Sequence, residues 1–310
     1  MSIKRTGEFE RNQTLERLLG ELNADLSAAE SQQASKFISA RMDFPIVLIM
    51  GPLRSGTTLF MQWLANTGLV AYPTNLLSRF YMAPIIGAKI QLLLTDPRFN
   101  FREELGEFSQ QSEYKSENGK TKGVLAPNEF WYFWRRFLSD SDRDVWTNEE
   151  LANSFDVQTM RSELMGLMDV LQKPFAAKGM LFNYNIPFLD SVLDKVVFVQ
   201  LQRDLATNVA SALEARKRQL GGEDEWYSFE IPEYQELKHL APAAQVEGQV
   251  SSIDAAVTRG LESVDDARKI SVQYEAFCEH PDLVFDELTK KLGMVDVHYS
   301  GPASFEVSRK

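Results

Sequence analysis

The chain has 310 residues, of which 44% are hydrophobic and 25% are charged, and this balance excludes a disordered, collagen-like or low-complexity protein. Its formal net charge of −11 repels nucleic acid phosphates, so neither DNA nor RNA is expected as a partner. A single cysteine, Cys278, and three scattered histidines exclude a disulfide framework and a Cys-rich metal site, and no metal is expected.

No stretch of the sequence approaches the roughly 20 consecutive apolar residues that a membrane span requires. Residues 1–10 carry charges and lack the apolar centre of a signal peptide. We therefore expect a protein of the cytoplasm, where the reducing conditions suit an unpaired cysteine.

Residues 9–41 are predicted to form a long amphipathic helix. Five leucines recur in it at helical spacing: Leu15, Leu18, Leu19, Leu22 and Leu26. Such a stripe packs either on the body of the domain or on a second subunit, and the second arrangement would make the protein a homodimer.

Residues 45–67 are predicted to form a strand, a loop and a helix. The continuous apolar run over 45–50 is typical of a strand that is buried on both faces of a parallel sheet. The loop at 51–56 has glycine at both ends, and the helix that follows it ends before Gly68.

Later parts of the chain repeat this alternation. Three short apolar segments predict further strands: 177–182, 196–201 and 269–273. Helices are predicted over 205–218 and 281–292. Strands that alternate with helices favour an α/β fold with a central parallel sheet flanked by helices.

Two long, mostly helical inserts are predicted at 74–172 and 219–262. The sequence contains no internal repeat and no linker rich in Gly, Pro or Ser. Residues 1–310 are therefore predicted to form a single domain.

The loop at 51–56 is the most informative segment for function. A glycine-rich turn that leads into a helix points several backbone N–H groups at one place, and the helix dipole adds partial positive charge there. Ser55, Thr57 and Thr58 can add hydroxyl donors, and Arg54 can add a full charge. The segment is therefore predicted to bind an anion of the size of phosphate or sulfate.

This loop departs from the phosphate-binding loop of nucleotide hydrolases at one position. In that pattern, G-x-x-x-x-G-K-[ST], the lysine reaches the phosphates and the hydroxyl holds Mg²⁺. Here Gly51 and Gly56 have the right spacing, but Thr57 replaces the lysine and the cation is Arg54. A nucleotide with a shorter 5′ anionic chain, bound without metal, fits this loop better than a triphosphate with Mg²⁺.

The segment Pro52-Leu-Arg-Ser-Gly-Thr-Thr58 resembles the 5′-phosphosulfate-binding loop of the sulfotransferases. A second signature of that family, a strand followed by Arg with Ser eight residues later, is similar to Arg203 and Ser211. A third, a Tyr-Glu segment before a helix that ends in Leu-Gly, is similar to the sequence around Tyr274. The three motifs follow the family's order and span residues 45–294.

The resemblance implies a P-loop-type domain that moves a sulfuryl group from 3′-phosphoadenosine 5′-phosphosulfate (PAPS) to a hydroxyl acceptor, with 3′,5′-ADP as the product. The residues that it places around this donor are Arg54, Ser55, Gly56, Thr57, Thr58, Arg203, Ser211 and Tyr274. Among them, Arg203 and Ser211 would contact the 3′-phosphate, and Tyr274 would lie near the adenine. Arg54 would also hold charge on the bridging oxygen during transfer. The family's last basic segment has only Arg309 and Lys310 as counterparts.

Two other functions stay open at this point. One is an ATP-dependent small-molecule kinase with a degenerate loop, although the missing lysine argues against it. The other is a nucleotide-binding protein without catalysis. In its favour, residues 71–75 lack the glutamate that one branch of the sulfotransferases carries after the first helix and its following strand.

Glu129 is the predicted general base of the transfer. The segment 125–134 resembles a Pro-His-Glu-Phe stretch of some bacterial-type sulfotransferases, with Asn128 in place of the histidine. A carboxylate at the start of an aromatic helix would be partly desolvated, which suits a base, whereas the simpler alternative is a glutamate that only complements the helix dipole. His239 is a second candidate base, and Lys178 is a candidate contact to the cofactor or substrate.

Three more segments have both a structural and a functional interpretation. The aromatic run 130–134 suits either a core or an acceptor pocket in which Trp and Tyr stack on sugar rings. The apolar segment 82–94 suits a buried helix or the wall of a lipid-accepting groove. The basic residues 216–218 are expected on a solvated helix end. The predicted acceptor is a saccharide or a glycolipid.

Overall fold

A computed structural model describes residues 12–100, 120–139 and 143–307, with a few single positions outside these ranges. The strands of the central sheet are β1 (Ile46–Met50), β4 (Phe175–Lys178), β5 (Val196–Gln202) and β6 (Lys269–Gln273). A separate antiparallel pair is formed by β2 (Ser116–Glu117) and β3 (Lys120–Thr121). The central sheet is parallel and has the order β4-β1-β5-β6, which confirms the predicted α/β class.

The helices in chain order are α1 (Gln13–Ala34), α2 (Thr57–Thr67), α3 (Pro84–Thr95), α4 (Trp131–Arg135), α5 (Asn148–Ser154), α6 (Val157–Leu171), α7 (Ile186–Val192), α8 (Leu205–Leu220), α9 (Tyr234–Leu237), α10 (Pro242–Glu262), α11 (Tyr274–Glu279) and α12 (Pro281–Lys291). The helices predicted after the loop and over 205–218 and 281–292 are therefore present, with small shifts at their ends. The strand predicted over 269–273 is confirmed as β6.

β1 occupies the inside of the sheet because all five of its residues are apolar and buried. Its Leu48 is in register with Ala177 on β4 and with Phe198 on β5, so backbone hydrogen bonds are made on both edges. Because the strands are parallel, their carboxyl ends meet at one edge, where open α/β sheets bind ligands. The loop that follows β1 lies at this edge.

The strand predicted over 177–182 is displaced towards the N-terminus. β4 ends at Lys178, and Met180–Phe182 form a 3₁₀ turn instead. Between them, Gly179 packs so closely on β1 that a Cβ would lie 2.6 Å from the sulfur of Met50. The extended backbone ends at this glycine, and Lys178 is the last residue of the strand.

Helices cover both faces of the sheet. On one face α2, α11 and α12 enclose the rings of Phe60, Trp63 and Phe277, whose centroids lie 5.1 to 5.2 Å apart. On the other face Ile46 and Leu48 of β1 pack with α6, α7 and α10. The two inserts thus supply much of the second layer.

The N-terminal helix is shorter than the predicted 9–41 and is held differently. It ends at Ala34 and continues as a 3₁₀ turn. Leu18 of the predicted apolar stripe is 61% exposed, whereas Asn23 and Glu30 are fully buried. The stripe of leucines is therefore not the main contact of α1 with the domain.

Hydrogen bonds from these two polar residues fix α1 to the first insert. The carboxylate of Glu30 accepts from the N–H groups of Ile85 and Ile86 at 2.8 and 3.0 Å, at the start of α3. The amide of Asn23 accepts from the N–H of Met82 and donates to the carbonyl of Arg79. Each buried side chain thus satisfies backbone groups next to helix ends.

Arg216 is not on the solvated face that the basic run 216–218 predicted. Its side chain is completely buried, and Nη1 donates to the carbonyl of Glu223 at 3.0 Å and to the amide oxygen of Gln245 at 2.9 Å. Burial lowers the pKa of the Arg216 guanidinium. The prediction holds for Lys217 and Arg218, which are exposed in the last turn of α8, and was wrong for Arg216. Helix α10 packs over this side of α8, which the local pattern of charges does not reveal.

The aromatic run is mostly core, since Phe130, Phe133 and Trp134 are buried. Tyr132 of the same run is 47% exposed. Most of the apolar segment 82–94 lies in α3. This helix buries one side and leaves Leu93 57% exposed, so the prediction of a buried helix is only partly correct.

Within the described ranges, no helix combines the length and the apolarity that a membrane crossing requires. Across the same residues, the side chains of His, Cys, Asp and Glu form no group of three or more placed to hold a metal ion.

Candidate active site

The loop between β1 and α2 depends on two glycines. Gly51 and Gly56 have φ angles of 141° and 95°, which other residues rarely adopt. A Cβ on Gly51 would lie 2.5 Å from the carbonyl oxygen of Leu201, and one on Gly56 would lie 2.1 Å from Cδ2 of Tyr274. The loop therefore has its tight shape because neighbouring elements press against both of its ends.

Internal hydrogen bonds hold the loop in this shape. The hydroxyl of Ser55, which is fully buried, donates to the carbonyl of Pro52 at 2.8 Å. The side chain of Asn183 accepts from the N–H of Gly51 at 3.0 Å and donates to its carbonyl at 2.9 Å. Sequence reasoning did not single out Asn183, because a lone asparagine in a turn carries no local signal of a partner more than a hundred residues away.

The first turn of α2 has no side-chain cap. Its N-cap is Gly56, which has no side chain to accept a hydrogen bond. The N–H groups at this end, together with the helix dipole, favour an anion at the mouth of the loop. The hydroxyl of Thr57 contacts the sulfur of Met180 at 3.8 Å, and Thr57 is 5% exposed, so it lines the inside of the turn.

Arg54 links the loop to helix α8. Its backbone has a positive φ of 61°, and its guanidinium Nε donates to the hydroxyl of Ser211 at 3.1 Å. Its carbonyl accepts from Nη1 of Arg203 at 3.1 Å. Burial lowers the pKa of Arg54, with Arg203 as a further cause. Arg54 is thus a direct neighbour of Arg203 and of Ser211, which lie 149 and 157 positions later in the chain.

Arg203 and Tyr274 follow two paired strands and meet at their ends. Gln202 of β5 is in register with Gln273 of β6, which places the next residue of each strand side by side. The guanidinium carbon of Arg203 lies 4.7 Å from the ring centroid of Tyr274, and its Nε lies 4.0 Å from the Glu275 carboxylate. Burial raises the pKa of Tyr274 to about 12, so its hydroxyl stays protonated.

A lysine from β4 supplies a second cation to the loop. Nζ of Lys178 donates to the hydroxyl of Thr58 at 2.9 Å and to Oε1 of Glu129 at 3.0 Å. The side chain of Lys178 is 4% exposed and that of Glu129 is 48% exposed. The cation that the loop sequence lacks is therefore provided in space by a residue 120 positions later.

Glu129 is positioned by the segment around it. The side chain of Asn128 accepts from the N–H of Phe130 at 3.0 Å and donates to Asn75 at 2.9 Å. Phe130 has a positive φ of 57° and stacks on Phe133 with ring centroids 4.3 Å apart. These contacts turn Glu129 towards Lys178. α4 begins two residues later, and about half of the Glu129 side chain, 48%, is exposed.

A model of the sulfotransferase family matches residues 45–297. The chain belongs to the sulfotransferase family. No curated protein sequence matches it. Among solved structures, the sulfotransferase STF1 from Mycobacterium tuberculosis H37Rv is 17% identical, with a TM-score of 0.57 over 87% of this chain and 73% of that one. The sulfotransferase STF9 from Mycobacterium avium is also 17% identical, with a TM-score of 0.55 over 86% and 68%. Both likenesses show the shared fold.

The sulfotransferase loop, Arg203 and Ser211 thus come together in this structure, and Tyr274 joins them. Glu129 lies on the other side of the loop, against Lys178. His239 is exposed after α9, and within the described chain no hydrogen bond joins it to this group. Arg309 and Lys310, the predicted final basic segment, lie outside the described residues.

A cavity of about 350 Å³ adjoins the loop of this sulfotransferase. It is lined by Pro52, Arg203 and Leu205 on one side and by residues 250–259 of α10 on the other. One of these residues, Asp254, accepts hydrogen bonds from Gln200 and Gln202 of β5 at 3.1 to 3.3 Å. Arg203, which donates to the loop, is thus also part of the cavity wall.

Proposed function

We propose that this protein is a PAPS-dependent sulfotransferase that acts on a hydroxyl group. The observation that carries the proposal is the hydrogen bond of 3.1 Å between Arg54 in the loop and Ser211 on α8. It brings the loop predicted to hold the 5′ end of the donor next to the pair predicted to hold its 3′-phosphate. One nucleotide could reach both places.

The residues at the loop suit a nucleotide that has anionic groups at both its 5′ and its 3′ position. Gly51 and Gly56 give the loop its tight turn, and the uncapped start of α2 favours negative charge. Arg203 and Ser211 offer a guanidinium and a hydroxyl beside it. When bound, PAPS supplies an activated sulfuryl group on a phosphate leaving group. Lys178 and Thr58 are the groups that we assign to the sulfuryl end, since they lie on the β4 side of the loop.

The chain's own side chains can then assist transfer in two ways. Lys178 holds negative charge on the oxygens of the reacting end, and such fixed charge is often the largest contribution to catalysis. Arg54 takes the same role only when its guanidinium leaves Ser211, to which Nε donates at 3.1 Å. Glu129 takes the proton of the acceptor hydroxyl. Its Oε1 is engaged by Lys178 and its side chain is half exposed, so Oε2 is the atom that we assign to the proton.

For the acceptor we propose a saccharide or a glycolipid. Trp131 and Tyr132 lie two and three positions after Glu129 in the chain, and Tyr132 is 47% exposed. An exposed aromatic ring this near the base in sequence suits stacking on a sugar ring. A screen of saccharides, glycolipids and cell extracts with ³⁵S-labelled donor tests this, and transfer only to non-sugar acceptors would contradict it.

Calorimetry decides between the donor classes. We expect 3′,5′-ADP to bind without metal and ATP with Mg²⁺ to bind weakly or not at all, because the loop lacks its own lysine. Tight binding of ATP with Mg²⁺ and none of 3′,5′-ADP would support the kinase instead. Binding of 3′,5′-ADP without transfer to any acceptor in the screen would support a protein that has lost catalysis.

We further propose that residues 1–310 form one domain that works in the cytoplasm. A homodimer through α1 is also a proposal, since Leu18 and Leu22 leave 61% and 37% of their surface exposed on this helix. Light scattering of the full chain measures the oligomeric state, and a monomer at all concentrations would exclude the dimer.

A further inference from the structure

The ring of Tyr274 contacts both parts of the site. Tyr274 is the first residue of α11, and it is only 5% exposed. A Cβ on Gly56 would lie 2.1 Å from Cδ2 and 2.4 Å from Cε2 of this ring, so the ring lies directly on the backbone of the loop. The guanidinium carbon of Arg203 lies 4.7 Å from the centroid of the same ring.

These contacts belong to a connected chain of residues that runs from Tyr274 to Ser211. Arg203 lies over Tyr274 and donates from Nη1 to the carbonyl of Arg54 at 3.1 Å. Arg54 in turn donates to Ser211 at 3.1 Å. A shift of the ring would therefore move Gly56 and Arg203 together, because packed neighbours transmit displacements.

The position of the ring follows from strand register rather than from local sequence. Gln202 and Gln273 are paired across β5 and β6, so Arg203 and Tyr274 leave the sheet side by side. With this much of its surface covered by the loop and by Arg203, Tyr274 has little ring area left for a nucleotide base.

We infer that Tyr274 is a positioning residue that fixes Gly56 and Arg203 relative to each other, and that the flat ring rather than the hydroxyl does this. The inference deepens the proposed function and rests on it for the identity of the ligand. It differs from the role near adenine that the sequence resemblance implies, and the two roles predict different effects on ligand selection.

Two nucleotides separate these roles. The test measures binding of 3′,5′-ADP and of 5′-AMP, which lacks the 3′-phosphate, to the full chain and to Tyr274→Phe and Tyr274→Leu. We expect Tyr274→Phe to stay within about threefold of the wild type for both, because the ring is kept. Tyr274→Leu should lose about tenfold or more in affinity for 3′,5′-ADP and less for 5′-AMP, since a misplaced Arg203 loses its charged contact to the 3′-phosphate.

The ratio of the two affinities is the deciding quantity. An unchanged ratio in Tyr274→Leu would overturn the inference, because loss of an adenine contact lowers both affinities equally. Tyr299→Leu is the matched control, since it removes another packed tyrosine ring, next to Trp63 and Phe285, away from the loop. It should leave the ratio unchanged.

Hydrogen exchange without ligand gives a second readout that does not depend on the proposed function. Tyr274→Leu should speed exchange of the amides over 51–58, while Tyr274→Phe and Tyr299→Leu should not. If exchange changes as expected but the wild type does not bind 3′,5′-ADP, the proposed function is overturned and the inference about Tyr274 stands. Unchanged exchange would overturn the inference. If Tyr274→Leu does not fold, Tyr274→Met, which has a longer side chain and also lacks a ring, takes its place with the same directions expected.

Discussion

At the scale of single residues, the loop obtains its charge from two directions. Arg54 comes from the loop itself but turns to Ser211, whereas Lys178 arrives from β4 and meets Thr58 and Glu129. The sequence indicated Arg54 plainly and Lys178 only by its place near a strand end. A lysine in a strand carries no local mark of its partner, because the pairing of Lys178 with Ile49 of β1 is a long-range contact.

Replacement of the base tests the assignment of Glu129. We expect Glu129→Gln to lower turnover by about 10²-fold or more, the usual scale for loss of a general base. Affinity for 3′,5′-ADP should stay within about threefold, because the amide oxygen still accepts from Lys178. Turnover is measured with labelled donor, and an unchanged rate would remove Glu129 from the site.

Replacement of the buried lysine tests the second cation. Lys178→Met keeps most of the side-chain volume and removes the charge, so we expect turnover to fall by about 10²-fold or more, as for loss of one transition-state donor. The matched control is Lys36→Met, because Lys36 is exposed on the surface and its ammonium donates to the nearby Gln33. Equal turnover in the two variants would show that Lys178 only stabilises the fold.

At the scale of elements, the site depends on how strands and helices end. The positive φ of Gly56 starts α2, and the turn at Gly179 ends β4 where Lys178 reaches the loop. Glycine spacing predicted the first of these, because a left-handed residue leaves a sequence signature. The displaced end of β4 was not predictable, since it depends on the pairing with β1, whose last pair is Ile49 with Lys178.

The loop glycine can be tested by adding one methyl group. Gly56→Ala should destabilise the protein by about 1–3 kcal/mol, because alanine is strained at a φ of 95° and its Cβ would meet Tyr274 at 2.1 Å. Gly222→Ala, where a Cβ meets nothing within 4 Å, should be close to neutral. Urea denaturation measures both. Equal stability of the two variants would show that the loop relaxes without cost.

The attachment of α1 predicts a dependence on pH. Burial raises the pKa of Glu30 above 4.5, although the N–H groups of Ile85 and Ile86 oppose the shift. Between 4.5 and the raised value the native state binds more protons at this carboxyl than the unfolded chain does, so the stability it contributes decreases as pH rises. The free energy of unfolding of the wild type should therefore fall relative to Glu30→Gln over this window. Parallel curves for the two proteins would contradict the expectation.

At the scale of the whole molecule, the central sheet places two groups of site residues on opposite sides of the loop. The order β4-β1-β5-β6 places Lys178 and Glu129 on the β4 side of the loop and Arg203 and Tyr274 on the β5 side. A nucleotide that lies across the loop would therefore have its reacting end and its anchored end on opposite sides. The two inserts contribute from both ends, with Glu129 in the first and the cavity wall of α10 in the second.

Ligand binding should stabilise the chain as one unit. If one domain carries the site, 3′,5′-ADP at about 100 times its Kd adds about 2.7 kcal/mol to the free energy of unfolding. The thermal transition should stay single and move upwards, which differential scanning calorimetry measures. ATP with Mg²⁺ at the same concentration serves as the control and should leave the transition in place. Two separate transitions, only one of them moved by the ligand, would contradict a single domain.

The sequence by itself determined the α/β class, most strand positions and the glycine-rich loop, because each depends on a local periodicity or on a residue that its neighbours in the chain require. Its resemblance to the sulfotransferases also indicated Arg203 and Ser211. Only the tertiary structure decided that Lys178 meets Glu129, that Asn183 clamps Gly51, and that Tyr274 lies on Gly56. Those contacts are set by strand register and chain crossover, which join residues that no local pattern connects.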